Sequence, residues 1–194
     1  MAALLEDEKE FKTRHRIPAL TQNHPGFLPD GRYWRGGVWA STNYMALKGL
    51  AKYGYRSLAH RIGKEHLQAV VDIYKKENTL FECYAPTGDG ASTTAKGNPV
   101  RRDFVGWTGL PPIAILFEFV FGIRADVPNN KIVWDLHLTE KHGICNYPFG
   151  QNGTLTLLCE KRANENEAPK ITVESNIPVT LEIIWGNGQK IVIN

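Results

Sequence analysis

The chain has 194 residues, 42% of them hydrophobic and 22% charged, with a formal net charge of +3. This is ordinary globular composition, with enough chain for one domain or for a helical part with a small appended one. The charge is too mild for a nucleic-acid binder, and neither a basic cluster interleaved with aromatics nor an arginine-rich tail is present.

Cys83, Cys145 and Cys159 are odd in number and lack paired spacing, so neither a disulfide framework nor a zinc site is expected. No metal and no cofactor are expected elsewhere. The opening stretch MAALLEDEKEFKTRHR lacks the apolar segment of a secretory signal. The longest apolar run, 110–121, is too short to span a bilayer and is interrupted by Glu118. The expectation is a soluble protein with no membrane partner.

Residues 1–32 read as an irregular lead-in that closes on the turn signature Pro29-Asp30-Gly31. Over 38–52 the residues Trp39, Tyr44, Met45, Leu47, Leu50 and Ala51 recur at helical spacing, and Gly54 supplies a stop. The clearest helix is 55–76, with Leu58, Ala59, Ile62, Leu67, Val70, Val71 and Tyr74 on one stripe. His60 and His66 lie near Glu65 but lack the i, i+4 spacing of a zinc pair, so a solvated face is expected for them. A loop rich in Gly, Pro, Thr and Asn then covers 85–102, a length that marks function or disorder inside a compact domain. Thr108-Gly109-Leu110-Pro111-Pro112 opens a third helix, apolar almost all round over 113–121, which needs cover on most sides.

After Gly122 the period changes. Short β-rich runs are predicted at 131–138, 143–149, 154–160, 171–175, 179–185 and 189–193, with a hairpin at Gly186-Asn187-Gly188. The chain therefore reads as mainly α with a β tail. The helical part occupies 1–124 and a small antiparallel β module occupies 125–194.

Three segments carry candidate chemistry. Tyr33-Trp34-Arg35-Gly36-Gly37-Val38-Trp39, followed by Asn43-Tyr44, places aromatics and an arginine at a helix start. Aromatic faces stack on sugar rings and an arginine fork holds oxygens, although the same tryptophans also suit core anchors. Leu80-Phe81-Glu82-Cys83-Tyr84-Ala85-Pro86-Thr87-Gly88 sets a carboxylate between aromatics at the mouth of the long loop. A glutamate there can act as a base or merely cap and solvate. Asp103-Phe104-Val105-Gly106-Trp107-Thr108-Gly109 brackets a tryptophan with glycines at another helix start.

Together and in this order, the YWRGxVW segment with its Asn-Tyr, the F-E-x-Y-x-P-T-G segment and the F-x-G-W-T segment resemble the terminal pattern of six-hairpin (α/α) toroid glycosidases. These are glycoside hydrolase family sixty-three with its mannosylglycerate-hydrolase-like and trehalase-like relatives. The resemblance runs from about Glu10 to Phe121 and includes the His-Arg-Ile-Pro-Ala-Leu lead-in at 15–20. It implies the final hairpins of an (α/α)6 toroid followed by the β module, and a carbohydrate substrate with α-glucosyl or α-mannosyl linkages. It also implies that Glu82 is the general base, that Trp34 and Trp39 line the sugar pocket, and that Arg35, Asn43, Tyr84 and Trp107 are further pocket residues. Ala85 departs from the Asn or Asp that relatives more usually carry before the proline.

Inversion needs two carboxyl groups about 6.5–9.5 Å apart, with a water between base and sugar. The acid in this family is an aspartate from an earlier hairpin. Asp30 and Asp103 are the nearest acids by motif position, and neither matches the acid motif. The resemblance thus implies an incomplete and inactive chain, completed by a missing N-terminal portion or packed as a homo-oligomer. The rival reading is a non-catalytic carbohydrate-binding protein or a structural oligomeric remnant.

Overall fold

The computed structural model describes residues 2–194, which divide into two compact units, one up to Leu116 and one from Phe117 to Asn194. In the first unit a short 3-10 turn, Ala2–Glu6, leads into a long irregular segment. Two helices come next, α1 (Ala40–Lys52) and α2 (Arg56–Glu77). Gly54, at φ +85, makes the turn between them. The backbone N–H of Tyr53 and of Tyr55 closes α1 on the carbonyls of Gly49 and Leu50. Asn78 ends α2 in the left-handed region with its N–H on the Tyr74 carbonyl, which is the usual way to satisfy a helix terminus.

The inner face of α2 carries Ala59, Ile62, Gly63, His66, Val70 and Ile73. This is a three-and-four spacing, rotated from the stripe that hydropathy alone selects, and Tyr74 is left 47% exposed. His66, expected on a solvated face, is 1% exposed, because the helical period carries the buried line through it. Arg16 ties the lead-in to the outer edge of this helix. Its buried guanidinium donates to Glu65 Oε2 at 2.7 Å, to the Leu5 carbonyl at 2.6 Å and to Glu6.

The third helix, Pro111–Val120, has π rather than α hydrogen bonding, and the division between the units falls within it. Ile115, Phe119 and Val120 are buried and Ile113 is 63% exposed. No helix among the described residues is long and apolar enough to cross a membrane.

The second unit is built from two sheets. β1 (Ile123–Asp126), β2 (Lys131–Leu136), β6 (Thr180–Trp185) and β7 (Gln189–Ile193) form one, in the order β1-β2-β6-β7. The other is β3 (His142–Phe149), β4 (Gly153–Cys159) and β5 (Ile171–Ser175). Alternate residues of both sheets, including Ile132, Trp134, Leu136, Leu155, Leu157, Leu181 and Ile183, make one core. The Trp134 indole N–H reaches the Phe121 carbonyl at 3.0 Å.

Two expectations are corrected here. The chain is not mainly α: 29% of it is helical and 24% is strand, because the lead-in and the loop after α2 are turn-rich and form no helix. Nor is the β part wholly antiparallel. β2 pairs parallel with β6, after the chain has crossed to the second sheet and returned. Period-2 alternation encodes which face is buried but says nothing of strand direction.

Candidate active site

The site is assembled from backbone outward, entirely within the first unit. Val38 and Tyr84 exchange both backbone hydrogen bonds, at 2.9 and 3.0 Å, which joins the start of α1 to the segment after Glu82. The Glu82 N–H donates to the Arg101 carbonyl at 3.0 Å, and the chain bends at Glu82 and Cys83 before the bridge at Tyr84. Phe81 and Cys83 go into the core, at 4% and 0% exposure, and Glu82 is left partly buried.

The F-x-G-W-T segment grips the same backbone. The Trp107 indole N–H donates to the Glu82 carbonyl at 2.7 Å, and the Thr108 hydroxyl to the Phe81 carbonyl at 2.7 Å. Glu82 is thereby fixed on two sides before its side chain makes any contact. The carboxylate then accepts a hydrogen bond on Oε1 from the Tyr33 phenol at 3.0 Å. That hydrogen bond first, then burial and the carboxylate charge, push the Tyr33 phenol above its ordinary pKa.

Tyr33 belongs to an aromatic cluster. Its ring stands edge-on to Trp39 (4.7 Å between centroids) and to Trp34 (5.8 Å). Trp34 lies flat on Trp39 at 4.3 Å and 15°, and Trp107 tilts against Trp39 at 5.8 Å. Trp39 is 2% exposed, whereas Trp34 is 55% and Trp107 36% exposed. Close packing of the turn requires Gly37, since a Cβ there would meet the Tyr33 carbonyl oxygen at 2.2 Å.

Of the residues singled out in the sequence, Glu82, Trp34, Trp39 and Trp107 come together, with Trp39 as the covered floor. Three lie elsewhere. Arg35 Nε donates to the Gly26 carbonyl at 2.9 Å. Asn43 is fully buried, its amide donating to the carbonyls of Ile17 and Trp39 at 3.1 Å each. Tyr84 is 1% exposed, and its hydroxyl receives the Phe81 N–H at 3.4 Å while burial raises its pKa to about 12. Cys83, beside Glu82, is likewise pushed up to about 12 by burial and stays a thiol. Sequence reasoning named Tyr33 without giving it a role. The available signal was its place directly after the Pro-Asp-Gly turn, where Gly31, Arg32 and Tyr33 have positive φ.

The nearer acids are occupied. Asp30 Oδ2 accepts from Arg32 Nε at 3.0 Å and from the Thr93 hydroxyl at 2.9 Å, and Asp103 Oδ1 accepts from Thr79 at 2.7 Å. Among the described residues no group of three or more His, Cys, Asp or Glu side chains is placed to hold a metal ion.

The family model of the mannosylglycerate hydrolase MGH1-like glycoside hydrolase domain matches residues 1–104, which include Glu82 and the whole Tyr33–Trp39 cluster. The chain belongs to this family. A mannosylglycerate hydrolase of Thermus thermophilus is 41% identical over 93 residues, covering 46% of this chain and 21% of that protein. An uncharacterized protein of Borreliella burgdorferi is 25% identical over 167 residues, covering 83% of this chain and 35% of its own length. Among solved structures, the GH63 mannosylglycerate hydrolase of Thermus thermophilus in complex with glucose matches with a TM-score of 0.41 at 30% identity, over 59% of this chain and 22% of that one. The chain thus spans between a fifth and about a third of the length of these relatives.

Proposed function

We propose that this chain carries the general-base side of an inverting glycoside hydrolase acting on α-glucosyl or α-mannosyl units, with Glu82 as the base. The observation that carries the reading is the Glu82 carboxylate on the aromatic cluster, one oxygen held by Tyr33 and its backbone gripped by Trp107. Exposed Trp34 and Trp107 are the faces offered to the sugar rings, and Trp39 backs Trp34. In the reaction Glu82 takes a proton from a water whose oxygen forms the new bond to the anomeric carbon. The glycosidic C–O bond breaks, and its oxygen leaves with a proton from a general acid.

That acid comes from outside these residues. Asp30 is committed to Arg32 and Thr93, and Asp103 to Thr79. The chain alone is then a sugar-binding half-site with no appreciable hydrolysis, since a general acid contributes about 10²–10⁴-fold. The test is to incubate the purified chain with mannosylglycerate and α-glucosides while following tryptophan fluorescence. Quenching that is lost in Trp34→Ala, without product formation, is the expected result. Product formation abolished by Glu82→Gln would overturn the external acid. Binding in a chain whose Glu82 can be replaced without effect in any hydrolysing context would favour the non-catalytic carbohydrate-binding reading.

A further inference from the structure

Three consecutive residues, Gly31, Arg32 and Tyr33, have positive φ values of 86°, 31° and 63°. For arginine and tyrosine this region is strained and persists only where the surroundings over-determine it. Here they do. The Tyr33 N–H donates to the Thr93 carbonyl at 2.7 Å, and the Gly37 N–H returns to the Tyr33 carbonyl at 3.0 Å. The Ser92 hydroxyl and the Thr93 N–H both bond the Asp30 carbonyl, at 3.1 and 3.2 Å. The Asp30 carboxylate in turn joins Arg32 to Thr93. A Cβ on Gly31 would meet the Ser92 hydroxyl at 2.2 Å, so the turn and the 92–93 segment are in closest contact.

We infer that Tyr33 is a positioning residue for Glu82. The left-handed turn at 31–33, fastened to Ser92 and Thr93, holds the phenol on Oε1 and leaves Oε2 for the attacking water. The inference rests on Glu82 being the base. An ordinary turn would not need two non-glycine residues in this region, and the second of them, Tyr33, ends on the carboxylate of the aromatic cluster. A phenol in this place acts without giving up its proton. Its hydrogen bond to a carboxylate disfavours the phenolate, so it remains the donor of that bond. One oxygen is then fixed in a single orientation, which is the geometric need of a base that must address a water on one side of a sugar ring.

The purified chain, with its tyrosines labelled at Cζ, provides the test by NMR, with Tyr33 assigned from Tyr33→Phe. Tyr33 is expected to titrate above exposed Tyr53 and Tyr55, and in Glu82→Gln its midpoint should fall toward theirs. Glu82 and the Cys83 thiol are the titrating groups whose charge acts on it. Asp30→Ala, which releases the clamp, should give the same fall with the far-UV spectrum kept. If that variant does not fold, Thr93→Val removes a single hydrogen bond to the same end. A Tyr33 midpoint that ignores Glu82→Gln overturns the inference whatever is found about catalysis. If the midpoint does fall in Glu82→Gln, yet a hydrolysing chimera with the Thermus relative keeps full activity after the same change, the inference fails through its premise instead, so the two failures are distinguishable.

Discussion

Trp34 lies face to face on Trp39, 4.3 Å between centroids, with one ring 55% exposed and the other 2%. The exposed ring is therefore the replaceable surface and the covered one its foundation. Trp34→Ala should abolish sugar-dependent fluorescence quenching while leaving the fold intact. Trp39→Ala should cost about 3–5 kcal/mol of stability, as for a buried tryptophan. Urea denaturation followed beside sugar titration separates them, and equal destabilisation by both would contradict the layered arrangement.

Trp107→Phe keeps a ring against Phe104 and Trp39 but removes the donor to the Glu82 carbonyl. A loss of about 0.5–1.5 kcal/mol is expected for one such hydrogen bond. The denaturation midpoint measures it, and no change would mean that water replaces the indole at that carbonyl.

Residues of this chain can replace the matched 93-residue stretch in the Thermus relative. In a chimera that hydrolyses mannosylglycerate, Glu82→Gln should lower the rate by about 10²–10⁴-fold. A chimera still active after that change would end the assignment of the base.

His15 and His66 are buried neutral, and burial foremost lowers their pKa values to about 4 and about 3, with their mutual proximity adding to the shift of His66. Their folded pKa values lie below the unfolded one near 6.5. Stability is therefore full above about pH 6.5, and it falls as the pH drops toward 4 and then 3, because the unfolded chain binds the extra protons. By pH 5 the loss should reach roughly 2 kcal/mol per histidine. Urea midpoints from pH 7.5 to 5 report it, and His66→Leu should flatten about half the slope. A midpoint level across that range would mean that these rings reach water in the folded chain.

Arg16 is 3% exposed and shared between Glu6 and Glu65. Arg16→Met takes this partner from Glu65 and leaves Glu6 with Arg61 alone. Both carboxylates reach solvent, so the cost should stay near the lower end for a broken buried pair, about 3 kcal/mol. Thermal denaturation in low and high salt checks this, since a surface pair would lose its effect in salt and this one should keep most of it.

Much of the architecture was legible in the residues themselves. The helix read at 55–76 is Arg56–Glu77 in the structure, and the run at 171–175 is β5 to the residue. Periodicity reports local burial well, and both elements are defined by it. What it could not reach depends on long-range pairing. The four-residue strand β1 is too short to show a period and exists because β2 lies beside it. The burial of His66 comes from helix phase rather than hydropathy. For the candidate site, motif order brought Glu82 and the tryptophans forward together. Asn43 and Tyr84 travel with the same motif, yet they serve the lead-in and the core, and residue type cannot separate the two uses.

The parallel pairing of β2 with β6 has a consequence for how the second unit is made. The Asn130 amide meets the Pro178 carbonyl across 48 positions of sequence, at the point where this pairing begins. Until the intervening three-stranded sheet has formed and the chain has come back, β2 is paired on its β1 side only, and the backbone groups of its other edge are unpaired. Closure entropy makes such a step slow compared with zipping a hairpin. The strands β6 and β7 thus act as a fastener applied after β3, β4 and β5. Pulse-labelled hydrogen exchange should show the amides of β4 protected before those of β2.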